Sequence, residues 1–158
     1  MPGASYQLWF AVRYVHIVSV ALLTGGAVFA AVSCETRGSS GTRADIGAIF
    51  HTALAYEWTF WSVVGVTAAT GVSNLGLKGE GLLGPETSWG TALSVKLGAV
   101  LLLLALSFIR SDIVARCNDW SSIDGDRVRR VLTVLYGITA LTLFGALWLG
   151  LGLAHGRY

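Results

Sequence analysis

The chain alternates long apolar stretches with short polar segments, and this pattern predicts four helices. A helix needs about 20 mostly apolar residues to cross the hydrocarbon core of a bilayer, which is about 30 Å thick. Four stretches meet this requirement, and we predict helices at about 8–32, 46–77, 89–112 and 128–154. The predicted fold is an all-α integral membrane protein, a four-transmembrane-helix bundle that forms a single membrane domain over residues 1–158.

Composition agrees with this class of protein. Apolar residue types make up 54% of the 158 residues and charged ones 13%, whereas soluble domains have about 25% charged residues. The formal net charge of +2 is too small to indicate a nucleic-acid partner. The first stretch has no basic residue ahead of its apolar core, and that core is longer than the roughly 7–15 residues of a signal peptide. We therefore predict a retained helix there and a lipid bilayer as the surroundings.

The distribution of basic residues predicts an orientation. Most of them lie in the loops after the first and third predicted helices, with one at the inner end of the third helix, namely Arg37 and Arg43, then Arg116, Arg127, Arg129 and Arg130, and Arg110 at the helix end. Short cytoplasmic loops of membrane proteins collect Lys and Arg. We therefore predict that both termini face outward and expect the bacterial inner (cytoplasmic) membrane as the location.

Ionisable residues at membrane depth are costly and are candidates for function. In the predicted orientation, Arg13, His16, Lys96 and His155 all belong to the outer half of the bundle. Imidazoles on two helices can bind a haem iron axially, and basic groups can neutralise haem propionates. His16 and His155 are therefore candidate axial ligands, with Arg13 and Lys96 as candidate propionate contacts. The open alternatives are a histidine bonded to a helix carbonyl, a solvated His155, and a Lys96 that extends to the interface.

Two further ionisable residues lie on the second predicted helix, in the inner half. His51 is a candidate ligand for a metal or a second cofactor. Glu57, next to Trp58, is interpreted as part of an interfacial anchor belt, with a proton-relay role as the alternative.

Short motifs on the first and third predicted helices resemble a known superfamily. The first helix reads Tyr14-Val15-His16-Ile17-Val18 and continues to Gly25-Gly26, and the third has Trp89 followed by Lys96-Leu97. This resembles the small membrane bundles that include the copper-resistance D (CopD) family and, more distantly, the protoporphyrinogen oxidase HemJ. In departure from the HemJ-like pattern, Leu23 stands in place of a tryptophan, and no histidine follows the aliphatic run of the third helix. The resemblance implies a bundle of four or more helices and, in the HemJ branch, a b-type haem with His16 and Lys96 as functional residues.

Three hypotheses for function follow. The first is a b-type haem protein that carries electrons, as a cytochrome b-like subunit of a respiratory or redox complex or with quinone. The second is CopD-like copper transport or resistance; copper(I) prefers soft sulfur ligands, whereas Met1 is the only methionine and Cys34 and Cys117 are expected in inner loops as free thiols. The third is a cofactor-free structural subunit of a larger complex. Other subunits or a second copy of the chain are the expected protein partners, and any reaction would be that of an oxidoreductase or a subunit of one.

Overall fold

The fold consists of long helices that pack side by side. The computed structural model describes residues 2–37, 43–76, 87–116 and 125–154. These residues form α1 (Pro2–Arg37), α2 (Arg43–Gly76), α3 (Ser88–Arg116) and α4 (Gly125–Ala154). Over these described residues, the prediction of an all-helical fold with four helices is confirmed. His155 and Cys117 lie outside the described residues.

Three of these helices are long and apolar enough to cross a membrane. The segments are Tyr6–Thr36 in α1, Ser88–Arg116 in α3 and Asp126–Gly152 in α4. They also expose large apolar side chains; Leu101 is 67% exposed and Leu141 73%. Such surfaces are expected where lipid, not water, surrounds the protein. α2 is not among the three, because threonines, serines, glycines and Glu57 dilute its apolar residues.

The hydroxyl groups of α2 are nevertheless compatible with apolar surroundings. The side chains of Thr59, Ser62, Thr67 and Ser73 each donate a hydrogen bond of 2.9 Å to the carbonyl oxygen four residues earlier. A hydroxyl bonded inside its own helix leaves no donor without a partner. This matters in lipid, where water cannot supply the missing bond.

α1 lies at the centre of the packing. It contacts α2 and α4 closely, and α3 packs mainly against α4. The main core cluster contains Leu23, Ala27 and Ala30 of α1, Phe60 of α2 and Tyr136 of α4, each at most 1% exposed. The small side chains of α1 allow the neighbouring backbones to approach closely, as is usual between membrane helices.

The tight contact of Gly26 in α1 with Tyr56 in α2 predicts that Gly26→Ala destabilises the protein. An added Cβ would lie 2.8 Å from Cε2 and 2.9 Å from Cδ2 of Tyr56. The Tyr56 ring is buried and its hydroxyl donates to the Leu23 carbonyl at 3.1 Å, so the ring has little room to move. We expect the free energy of unfolding to fall by about 1–3 kcal/mol, the usual effect of overpacking. Unfolding by SDS titration in mixed micelles measures it.

Gly25→Ala is the matched control for this prediction. Apart from the adjoining residues of α1 itself, no atom lies within 4 Å of the position that its Cβ would take, and alanine is the better helix former by about 1 kcal/mol. We expect no loss of stability from this variant. Equal losses from both variants would contradict the close approach at Gly26.

The position of Cys34 corrects an expectation. The sequence pattern placed this residue in an inner loop, but α1 continues to Arg37 and Cys34 is a buried free thiol, 1% exposed. No glycine or proline ends the helix between 33 and 37. A cysteine side chain also packs as a small apolar group, so the helix extends past the end of the continuous apolar run.

Candidate functional site

His16 is held against α2 by one of its two ring nitrogens. Its Nδ1 lies 3.1 Å from the carbonyl oxygen of Thr67 and 3.0 Å from Oγ1 of Thr70. The ring also lies close to the backbone of α2, because a Cβ added at Gly71 would be 3.3 Å from Cε1 of His16. These contacts fix the position and the tilt of a partly buried imidazole between α1 and α2.

The bond to Thr67 also determines which nitrogen carries the proton. A carbonyl oxygen can only accept, so Nδ1 is the donor in this contact. Oγ1 of Thr70 donates to the Val66 carbonyl at 2.8 Å and can therefore accept from the same Nδ1–H. In a neutral imidazole the proton on Nδ1 leaves a lone pair on Nε2. Among the described residues Nε2 has no hydrogen-bond partner.

Lys96 of α3 lies near His16, so two of the predicted site residues share one layer of the bundle. The Lys96 ammonium group is close enough for its charge to act on the His16 ring. Its Nζ also lies 3.1 Å from the position that a Cβ at Gly150 would take. Residues of all four described helices therefore meet in this layer, with Gly71 and Gly150 allowing the close approach.

The other predicted site residues have different surroundings. The Arg13 guanidinium lies 5.3 Å from the centre of the Trp9 ring, one turn earlier in α1, a distance typical of a cation–π contact. His51 is exposed on α2, beside the Phe50 ring. His155, the proposed second axial ligand, lies outside the described residues.

A buried ion pair between α2 and α3 is the main feature that the sequence pattern did not reveal. Arg110 is 0% exposed, and its Nε and Nη2 donate to the two carboxylate oxygens of Glu57 at 2.6 and 3.2 Å. Nη1 of Arg110 donates to Oγ1 of Thr139 in α4 at 2.7 Å. Ser111 and Tyr136 also donate to the Glu57 carboxylate, at 2.6 and 3.1 Å. The pair thus ties three helices together.

Aromatic rings enclose the Arg110 guanidinium. Its central carbon lies 5.1 Å from the ring centre of Tyr56, 4.7 Å from that of Phe60 and 5.0 Å from that of Tyr136. Outside this cage, Trp61 Nε1 donates to Ser111 Oγ at 2.9 Å. The negative faces of the rings stabilise the cation, and the hydrogen bonds satisfy the carboxylate, as a buried ion pair requires.

These contacts correct the interpretation of both residues. Glu57 does not lie in an interfacial belt, since it is 6% exposed and bonded to Arg110, and Arg110 is not a charge at an inner helix end, because α3 continues to Arg116. Since Glu57 accepts from three side chains, the network favours a fixed carboxylate over a proton relay. One signal for the pair was present in the sequence: two opposite charges within apolar helices need partners.

The two polar centres are separate. Thr67, which holds His16, is ten residues from Glu57 on α2, or about 15 Å at 1.5 Å per residue. Among the described residues, no three His, Cys, Asp or Glu side chains group to bind a metal ion. The chemistry that the His16 layer offers is a single imidazole lone pair beside a cation. Comparison of the chain with known protein families, with curated proteins and with solved structures found no match.

Proposed function

We propose that this chain is a membrane-embedded b-type haem protein that carries electrons, as a cytochrome b-like subunit of a redox complex or with quinone. In this proposal all four helices cross the bacterial inner membrane and both termini face outward. His16 would hold the haem iron, and Lys96 and Arg13 would pair with its acidic groups. Haem b would supply one-electron transfer when bound.

The observation that carries the proposal is the hydrogen bond from His16 Nδ1 to the Thr67 carbonyl. Metal-ligating histidines usually donate their second ring N–H to a backbone carbonyl or a carboxylate, which fixes the tautomer and the ring orientation. His16 has this arrangement, with Nε2 free of any partner among the described residues. Its donor set therefore fits an axial ligand, and the nearby charge of Lys96 fits the acidic edge of a haem.

The proposed second ligand is His155, with His51 as the alternative. His155 directly follows Ala154, the last residue of α4. Gly150, one turn before that end, lies against Lys96, so α4 ends near the His16 layer. His51 has less support, because it is exposed on α2 and lies about 24 Å along that helix from Thr67 at 1.5 Å per residue.

The charges at the opposite end of the bundle support the proposed orientation. Arg116 ends α3, and Arg127, Arg129 and Arg130 lie in the first two turns of α4. Nη1 of Arg129 lies 3.6 Å from Oε2 of Glu35 near the end of α1, so the same end of the bundle includes that helix. Basic residues concentrate on the cytoplasmic side of membrane proteins.

A copper pathway has less support than haem. Copper(I) requires soft sulfur ligands, and the Cys34 thiol is packed in the core at 1% exposure, within the main hydrophobic cluster. The cofactor-free subunit remains the alternative that the first experiment separates from haem.

The test is a dithionite-reduced minus oxidised spectrum of the purified protein, combined with a pyridine haemochrome assay. Because a bis-imidazole haem b gives a sharp alpha band, we expect that band and about one haem per chain. A featureless spectrum from folded protein made in haem-replete cells would contradict the proposal and favour the cofactor-free subunit.

A further inference from the structure

At the level of His16 and Lys96, α2 and α3 contribute no buried residue to the core, whereas Ser19 of α1 and Ala146 of α4 are buried near that level. The main cluster fills the inner and middle parts of the bundle, and a second, small cluster contains Trp89 and Ala92 packed with Leu75 and Leu93. Between them, no residue of α2 in 61–76 and none of α3 in 93–102 is buried. The interior of a packed bundle normally lacks such a gap.

A space lies between α2 and α3 at this level, because these two helices are less closely packed than the other neighbouring helices. Trp61, Ala68 and Leu75 are seven residues apart and lie on one face of α2. Trp61 contacts Phe108 and Ser111 of α3, and Leu75 packs on the outer cluster. Ala68, midway between them, is exposed. Two contacts therefore bound an opening toward the surroundings of the bundle.

The charge at this level is that of Lys96, whose Nζ lies against Gly150 of α4, inside the bundle. Lys96 is partly buried, and among the described residues its ammonium group has no ion-pair or hydrogen-bond partner. Leu97 beside it is 51% exposed and apolar. A cation in such surroundings attracts an anion strongly, since the local dielectric constant is low. An apolar opening beside a buried cation is expected to bind a molecule that has an acidic group at one end and an apolar body.

We propose that the His16–Lys96 layer binds the carboxylate of a lipid-soluble organic acid that enters sideways between α2 and α3. Lys96 pairs with the carboxylate, and the apolar body lies along Ala68 and Leu97. The inference rests on the part of the proposed function that places these helices in a membrane, and it does not require haem. A neutral amphiphile of the same shape would fit the opening but would leave Lys96 without a partner.

The experiment compares an acid with its matched alcohol. Haem-depleted protein, with its haem content checked by pyridine haemochrome, is placed in phosphatidylcholine nanodiscs at a pH where the acid is ionised. Trp9, Trp58, Trp120 and Trp148 are first replaced by phenylalanine, so that the remaining Trp61 and Trp89 are those that border the opening. Dibrominated stearic acid and dibrominated stearyl alcohol are then titrated, and quenching of tryptophan fluorescence reports binding at the opening. We expect the acid to bind about tenfold or more tightly than the alcohol, the usual effect of one charge-assisted contact.

Four variants locate the site. Lys96→Met keeps the length of the side chain and is expected to abolish the preference for the acid, whereas Lys96→Arg keeps it. Ala68→Phe is expected to block the opening and reduce quenching by both probes. Ala69→Phe is the matched control, because Ala69 is also exposed on α2 but lies outside the Trp61–Ala68–Leu75 face.

Three results would overturn the proposal. Equal binding of acid and alcohol to the wild type, or an unchanged preference in Lys96→Met, would show that Lys96 does not hold the acid. Equal effects of Ala68→Phe and Ala69→Phe would exclude the entrance between α2 and α3. None of these three results uses the haem spectrum of the protein, so this proposal and the haem assignment are tested separately.

Discussion

Arg110→Met is expected to lower the free energy of unfolding by about 3–5 kcal/mol, because it leaves the Glu57 carboxylate buried without a cationic partner. The charge of Glu57 would then be held by Ser111 and Tyr136 alone, at 6% exposure. Methionine matches the length of the arginine stem and keeps most of its packing in the aromatic cage. The decrease in the free energy of unfolding therefore reports the loss of the positive charge of Arg110. SDS titration in mixed micelles, followed by circular dichroism, measures the stability.

The same substitution elsewhere on α3 is the control. Arg116 pairs with Asp112 at 2.8 Å, but the two side chains are 78% and 57% exposed. An exposed pair of this spacing contributes at most about 0.5 kcal/mol after solvent screening, so Arg116→Met should change stability little. If Arg110→Met and Arg116→Met behave alike, the buried pair is not formed.

The double variant Glu57→Met/Arg110→Met compares the attraction within the ion pair with the free energy of desolvating its two charges. Removing both charges also removes the desolvation penalty, and exchanges of this kind are often neutral or stabilising by about 1–4 kcal/mol. We expect the double variant to be more stable than Arg110→Met alone. A double variant that loses the sum of the two single losses would show that the residues act independently.

His16→Ala is expected to remove the haem absorbance of the protein completely, because alanine offers no ligand to the iron. The variant also loses the contacts of Nδ1 with Thr67 and Thr70, which contribute about 1 kcal/mol to folding. It should therefore remain helical while the Soret band disappears. The oxidised and reduced spectra, the pyridine haemochrome assay and circular dichroism on the same sample test this.

His51→Ala is the matched control, since His51 is an exposed histidine of the same bundle. We expect its Soret band to be unchanged. His155→Ala should remove or shift the band if His155 is the second ligand. An unchanged spectrum in His16→Ala would exclude the ligand role, whatever the other two variants show.

The opening between α2 and α3 shows a limit of helical patterns. The sequence places Trp61, Ala68 and Leu75 on one face of α2. The helical pattern does not distinguish which of the three contacts a neighbouring helix and which is exposed. Which of them touch α3 depends on how the two helices cross. Trp61 and Leu75 contact α3 whereas Ala68 is exposed, and this difference arises only once the helices are assembled.

The sequence by itself determined the helical architecture. Long apolar runs separated by polar segments are compatible with few other structures, because a backbone in lipid must satisfy its hydrogen bonds within each helix. The approximate depth of His16 and Lys96 also followed from the sequence, since a helix rises by a constant 1.5 Å per residue. Their meeting in one layer is consistent with that depth.

Only the tertiary structure decided which polar groups are partners. Glu57 and Arg110 are 53 residues apart, and the hydrogen bond of His16 to Thr67 spans 51 residues. Such contacts depend on the rotation and crossing of whole helices, which packing of many side chains sets together. Local sequence therefore located the charges along the chain, whereas the assembled bundle converted Glu57 and Arg110 from apparent end charges into a buried ion pair.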